Sequence, residues 1–417
     1  MPKEFQIVHI CEDEKFINSA VEQFEHCFPG QNTFFVLPVS SEENFKHVKS
    51  QTFIHKTTPE DLDQVSSSIS NNAIVVLHSL SPCFYGFVLQ LPKKIKIIWF
   101  CFGFEVYNDT NYFKSNILLD AVTRAKFPDV KKSKKDQFIE IARPYYRLIK
   151  PILPLSQREY KHKVMQRIDF LGSSFQEEFN QVCKLIKQKK QFFNFWYYPL
   201  EIITETQKPI VFPKKNIIIG NSGFKSGNHL DVFDKIKNYS LTDIEIVVPL
   251  NYGEPKYIQE VLAEGKKDFN VAFKPLLDFM PLADYNTILE SVGVAILNNK
   301  RQQAVGNTIA LLWFGAKVFL SHKNPFYHYL IRKGVLVYCY ETELTEKSIS
   351  QQLFLEQIEL NRKLLFQELN QAKLADSLKK QIELIYAKQP PSFHHHPHLQ
   401  PSPFDFGNLG LCVGKNK

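Results

Sequence analysis

Short apolar runs recur along the chain with helix-length segments between them, and this alternation restricts the fold more than any other feature. In the first half the runs are Phe5–Cys11, Thr33–Val39, Ala73–His78, Ile95–Gly103, Arg167–Gly172 and Phe192–Tyr198. Each is short, apolar and bounded by turn residues, so each predicts a strand. Amphipathic stretches such as Glu14–His26 fill the intervals. The pattern restarts at Asn216–Gly220, Ile244–Pro249, Asn270–Phe273, Val292–Leu297, Lys317–Leu320 and Val335–Cys339. Strand and helix in alternation predict parallel sheets covered on both faces, an α/β architecture. At 417 residues the chain exceeds one ordinary core. Two Rossmann-like domains facing across a cleft are expected, residues 1–200 and 201–390, with Pro199–Lys215 as the linker. Gln352–Lys388 predicts one or two long amphipathic helices. Residues 391–417, with His394, His395, His396 and His398 among prolines, predict a disordered tail whose histidines bind metal only adventitiously.

The chain has no apolar run of about 18 residues, so no bilayer span is expected. Met1–Ile10 reads as the approach to a first strand and not as a signal peptide. The seven cysteines are scattered and form no CxxC, which argues against a zinc or disulfide framework and for a cytoplasmic protein. The net charge of +8 is localised. Between Ala121 and Arg167 thirteen basic residues stand against four acids. Within this region Phe138–Leu155 mixes apolar and aromatic residues with Arg143, Tyr146, Arg147 and Lys150. That combination suits a helix lying on an anionic membrane surface. A core helix with a solvated basic face is the competing reading, and Pro144, Pro151 and Pro154 are expected to cut the segment short. No recognised module accompanies the patch, so nucleic acid is not an expected partner.

Two strand-to-helix loops carry the chemistry. Asn216–His229 passes from Ile217–Ile219 into Gly220, Asn221, Ser222 and Gly223 before an apolar helical pattern. Small residues at such a turn let a backbone approach a phosphate, and free N–H groups at a helix start attract an anion. Alone, the loop is equally an ordinary βα turn. The second loop, Asn298–Phe326, contains Arg301, Gln302, Gln303, Gly306, Asn307 and Thr308. Two such helix starts on neighbouring strands would hold a diphosphate from both sides, with Arg301 supplying a full charge.

IIIGNSGFKSGNH, Ile246–Gly253 (IVVPLNYG), RQQAVGNTIALLWFGAKVFLSHKNPF and Trp99–Asn108 (WFCFGFEVYN) together resemble the TDP-N-acetylfucosamine:lipid II N-acetylfucosaminyltransferase family, glycosyltransferase family 56. The resemblance is strongest over Ile217–Cys339. It implies a GT-B-like fold, a TDP-linked 4-acetamido-4,6-dideoxyhexose donor and an undecaprenyl-diphosphate-linked acceptor. It also implies work at the cytoplasmic face of the inner membrane, in surface polysaccharide assembly. Where the family has an Asp in the stretch matching Trp99–Tyr107, this chain has Glu105. Where the family has an Asp ahead of the RQQ motif, this chain has Gly293, and Lys131–Lys135 is an added basic run.

The expected catalytic residues are Glu105 and His78, Glu105 for acceptor activation or for steadying charge on the sugar. The expected donor contacts are Gly220, Asn221, Ser222, Gly223, Tyr252, Arg301, Gln302, Gln303, Asn307, Thr308 and Asn324. Arg143, Tyr146, Arg147 and Lys150 are expected to face membrane or acceptor. Metal-free transfer without a cofactor is expected; helix dipoles and Arg301 would stabilise the leaving diphosphate. A glycosyltransferase with another donor or acceptor is the first alternative. A Rossmann-type oxidoreductase or binding module is the second, and it lacks GxGxxG.

Overall fold

A computed structural model describes residues 5–38, 44–109, 112, 115–128, 133–150, 154–212, 214–241 and 243–388. The first sheet contains β1 (Ile7–Glu12), β2 (Asn32–Leu37), β3 (Ile54–Lys56), β4 (Ile74–Leu77), β5 (Lys96–Phe100), β6 (Phe170–Ser173) and β7 (Gln191–Asn194). The second contains β8 (Asn216–Ile219), β9 (Ile246–Pro249), β10 (Phe273–Leu276), β11 (Val292–Leu297), β12 (Lys317–Leu320) and β13 (Tyr338–Cys339). Their orders are β3-β2-β1-β4-β5-β6-β7 and β10-β9-β8-β11-β12-β13, every pairing parallel. These are two doubly wound Rossmann-like sheets, as the alternation predicts. The unpredicted member is β3, an edge strand of three residues of which only Ile54 is buried. The run expected as a strand at Asn270–Phe273 is a 3-10 turn over Asn270–Ala272, with β10 beginning at Phe273.

The period-two side-chain alternation divides each sheet between two cores. On β4 and β5, Val75, Leu77, Ile97 and Trp99 meet Phe84, Phe87, Val164 and Met165 on one face. Ile74, Val76, Ile98 and Phe100 face Phe24, Phe28, Leu378, Ile382 and Ile385 on the other. Those last three residues belong to helix Gln371–Ala387, the last among the described residues, so a segment that follows the second domain covers the first sheet. Exchange runs the other way too. The short helix Ala121–Lys126 docks on the second domain, where the Asp231 carboxylate accepts from Val122 N at 2.8 Å and Thr123 N at 3.0 Å.

In each sheet the strand order reverses beside a central pair, β1–β4 and β8–β11. Loops at the C-terminal ends of such pairs form the crevice where α/β sheets bind ligands. The basic segment forms one helix, Lys134–Ile149, running through position 144, contrary to the expected break. It is followed by Gln157–Arg167. No helix among the described residues is long and apolar enough to cross a membrane. Val39, Lys131, Lys132, Pro151 and the expected tail 391–417 lie outside the described residues.

Candidate active site

The loops after β8 and β11 lie side by side because their strands pair. Gln303 ties them together. Its Nε2 donates to Asn221 Oδ1 and Ser222 Oγ, both at 3.3 Å, and its Oε1 accepts from Ser226 Oγ at 3.0 Å. Asn221 and Ser222 are buried in this network. The glycines have another purpose than the expected one. A Cβ on Gly220 would lie 2.1 Å from His229 Nε2, and one on Gly223 would lie 2.3 Å from Ile258 Cγ1. They admit neighbouring side chains.

The helix start at His229 is occupied as well. The His229 N–H donates to the Tyr257 hydroxyl at 2.9 Å, and Asn228 beside it donates to the Leu118 and Asn298 carbonyls. Protein groups take the N–H of this helix start, while His229 Nε2 is buried without a partner among the described residues. Asn221 and Ser222 bond Gln303 of the neighbouring loop, and Gly220 and Gly223 pack against His229 and Ile258.

The second helix start, Val305–Phe314, is different. A Cβ on Gly306 would meet nothing within 4 Å, so there is room beside the first turn. Asn307 Nδ2 donates to the Tyr285 hydroxyl at 3.1 Å. Thr308 is buried, its hydroxyl donating to Ala304 O at 2.8 Å, and it braces the turn instead of facing the cleft. Asn324 caps the next helix through its Oδ1, which accepts from Phe326 N at 3.0 Å. Among the described residues, Asn299 Oδ1, Arg301 Nε, Gln302 Oε1 and Asn324 Nδ2 are buried polar atoms without a partner. Each such atom costs about 1–3 kcal/mol. These four lie on the loops after β11 and β12, and His229 Nε2, packed against Gly220 on the loop after β8, is another such atom.

Arg301 reaches across to the first domain, its guanidinium 5.8 Å from the Tyr107 ring centre. The Tyr107 hydroxyl donates to Glu178 at 3.1 Å and accepts from Gln181 Nε2 at 2.8 Å. Burial pushes the Glu178 carboxyl up to about 7, against the opposing pull of Tyr107, Arg301 and the Gln302 backbone. Sequence reasoning missed Glu178 and Tyr107. A single carboxylate on an amphipathic helix reads as solvated until its partner, far off in the chain, is known.

Glu105 lies in the first turn of the short helix Phe104–Tyr107 beyond β5. Its Oε1 accepts from Leu80 N at 3.3 Å and Trp99 Nε1 at 3.4 Å, while Oε2 is buried without a partner. Burial raises its pKa, with hydrogen bonds opposing. It lines a cavity of about 860 Å³ with Tyr85, Asp109, Tyr160 and Lys161. His78 departs from expectation. It is 1% exposed, with Nε2 at 3.0 Å from His9 Nδ1 and Nδ1 at 2.7 Å from the Tyr197 hydroxyl. Both ring nitrogens are engaged inside the first domain, leaving none for a substrate.

Tyr252 is half-exposed at the mouth of the second domain, stacked on Phe279 at 6.1 Å. Lys15 of the first domain lies 5.6 Å from the Phe279 ring centre. On the basic helix, Phe138, Tyr145, Leu148 and Ile149 are each at least 70% exposed, and Tyr146 is 50% exposed with Lys150 5.9 Å from its ring centre. Arg147 is committed elsewhere. It holds Glu159 through contacts of 2.5 and 2.8 Å and Pro154 O at 3.1 Å, and Arg143 also reaches Pro154 O. The apolar residues, more than these two arginines, form the outward face.

The sequence itself matches a known family. The model of the 4-alpha-L-fucosyltransferase glycosyl transferase group 56 covers residues 140–381. The chain belongs to that family. A group 56 chain is a glycosyltransferase, and its architecture is GT-B. Among solved structures it is similar to the UDP-forming α,α-trehalose-phosphate synthase from Burkholderia vietnamiensis. The TM-score is 0.59 at 9% identity over 93% of this chain and 99% of that one. The N-terminal domain of Candida albicans trehalose-6-phosphate phosphatase has a TM-score of 0.58 at 9% identity, over 92% and 96%. At such identity the likeness is one of fold. The family supplies the activity class, a sugar moved from a nucleotide donor to an acceptor.

Proposed function

We propose that this group 56 enzyme transfers a 4-acetamido-4,6-dideoxyhexose from a TDP-sugar to a polyprenyl-diphosphate-linked saccharide at the cytoplasmic membrane surface. The observation that carries the donor half is the set of unpartnered buried polar atoms on Asn299, Arg301, Gln302 and Asn324 beside the open helix start at Val305. A diphosphate there receives the helix dipole and the Arg301 charge, which stabilise the leaving group without requiring a metal. Tyr252 offers an aromatic face for the base.

Glu105 is the proposed acceptor-activating base. Burial raises its affinity for a proton, and its free Oε2 leaves one acceptor position for a hydroxyl. The 860 Å³ cavity beside it takes the acceptor saccharide, with Tyr85 and Tyr160 as its aromatic walls. The exposed apolar face of Lys134–Ile149 supports peripheral contact with the bilayer from which a polyprenyl acceptor is presented.

Thermal shift against a nucleotide panel tests the reading. TDP and TDP-sugars are expected to raise Tm, and NAD is not. A shift with another nucleotide diphosphate alone would replace the donor and keep the glycosyltransferase; a shift with NAD alone would sink the reading.

A further inference from the structure

Beyond the transfer site, three unlike ligating groups converge at the C-terminal edge of the second sheet. His322 lies on the loop after β12, Cys339 ends β13, and Glu341 follows on the next turn. Their ligand atoms all fall within 4.8 Å of one another. His322 Nδ1 is 3.0 Å from Glu341 Oε2, and Cys339 Sγ is 3.4 Å from the same oxygen. Tetrahedral zinc holds nitrogen and oxygen at about 2.0–2.2 Å and sulfur at about 2.3 Å, which separates adjacent ligands by roughly 3.3–3.7 Å. The cluster is close to that spacing already.

Its surroundings hold it in place. Glu341 Oε1 accepts from Ser321 Oγ at 2.6 Å and Lys300 Nζ at 3.1 Å, while Oε2 accepts from the His322 N–H at 2.9 Å. His322 O is 2.7 Å from His328 Nε2. Lys300 is shared with Asp120 at 3.0 Å, so its charge does not fall on Glu341 alone. Cys339 is buried and His322 is half-exposed, which leaves a solvent side for a fourth ligand. Outer contacts of this kind fix the ligand orientations of metal sites.

We propose that His322 Nδ1, Cys339 Sγ and Glu341 Oε2 bind one divalent metal of the zinc class, with water in the fourth position. Binding releases the Cys339 thiol proton to solvent as the sulfur–metal bond forms. The metal ties the end of β13 to the loop after β12, and through Glu341 and Lys300 it braces the loop that carries Arg301. It takes no part in the transfer step.

Cobalt titration of the full chain tests this, with His394, His395, His396 and His398 replaced by Ala to remove competing ligands. One equivalent of Co²⁺ is expected to produce a thiolate-to-cobalt charge-transfer band in the near-ultraviolet, displaced by Zn²⁺. Cys339→Ser should abolish the band. His322→Ala, at an exposed position, should weaken Co²⁺ binding at least about tenfold. Absence of the band, its survival in Cys339→Ser, or cobalt bound without it would each overturn the proposal.

Discussion

Single residues in this protein are fixed by what they touch across long chain separations. Gly293 illustrates this within β11. A Cβ there would sit 2.5 Å from the Lys214 carbonyl oxygen, where the register with β8 also shifts. No side chain fits without moving backbone. Gly293→Ala is expected to destabilise by about 1–3 kcal/mol, measured by denaturant unfolding. Glu178 behaves differently. Its folded carboxyl, near 7 against an ordinary 4.5, binds a proton that the unfolded chain releases. Its contribution therefore falls as pH rises from about 4.5 to 7, and Glu178→Gln should remove that part of the pH dependence. His9, His78 and His229 act with the opposite sign. Burial lowers His9 to about 3 and His229 to about 4, and lowers His78 well below 6.5. Stability present above about 6.5 should be lost as pH falls, and with three histidines against the two raised carboxyls of Glu178 and Glu105, acid destabilisation should dominate in thermal scans between pH 6.5 and 4.

At the scale of elements, the strands were legible in the sequence because a buried parallel strand is a continuous apolar run. β3 was not, since an edge strand with one buried residue leaves no run to read. Helix Lys134–Ile149 shows the same boundary from another side: its composition was legible, but its arginine roles were not. Arg147 turns inward to Glu159, and only its partner's position reveals that. Neutralising Arg147 should thus loosen the helix pair. Replacing Leu148 and Ile149 with Asp should remove binding to anionic vesicles while leaving Tm nearly unchanged, checked by co-sedimentation. Salt should weaken the remaining binding through Lys150 and its neighbours. The donor loops followed a similar course. Arg301, Gln302 and Gln303 were recognisable, yet the glycine-rich stretch after β8 serves loop packing, because the same small residues suit a ligand or a neighbouring side chain. His78 was misread for a related reason: a histidine ending a strand looks alike in sequence whether it faces a cleft or a second buried histidine.

The whole molecule is interlaced. Helix Ala121–Lys126 from the first half caps the second domain through Asp231, and helix Gln371–Ala387 covers the first. Neither exchange was legible, because each couples residues more than 100 positions apart. Ile382, fully buried against the first sheet, should show the dependence directly. Ile382→Ala is expected to cost about 2–5 kcal/mol and to lower the stability of the first domain, although it lies in the last helix.

That last helix also has a consequence for synthesis. The first sheet emerges from the ribosome with Phe24, Phe28 and Phe100 on a face whose cover, Leu378 to Ile385, has not yet been made. At about 5–20 residues per second, the delay between Phe100 and Leu378 is on the order of fifteen to fifty-five seconds. For that interval the amino-terminal half presents an aromatic surface to the cell, so the newborn chain is a natural client for chaperones until its final turns are complete.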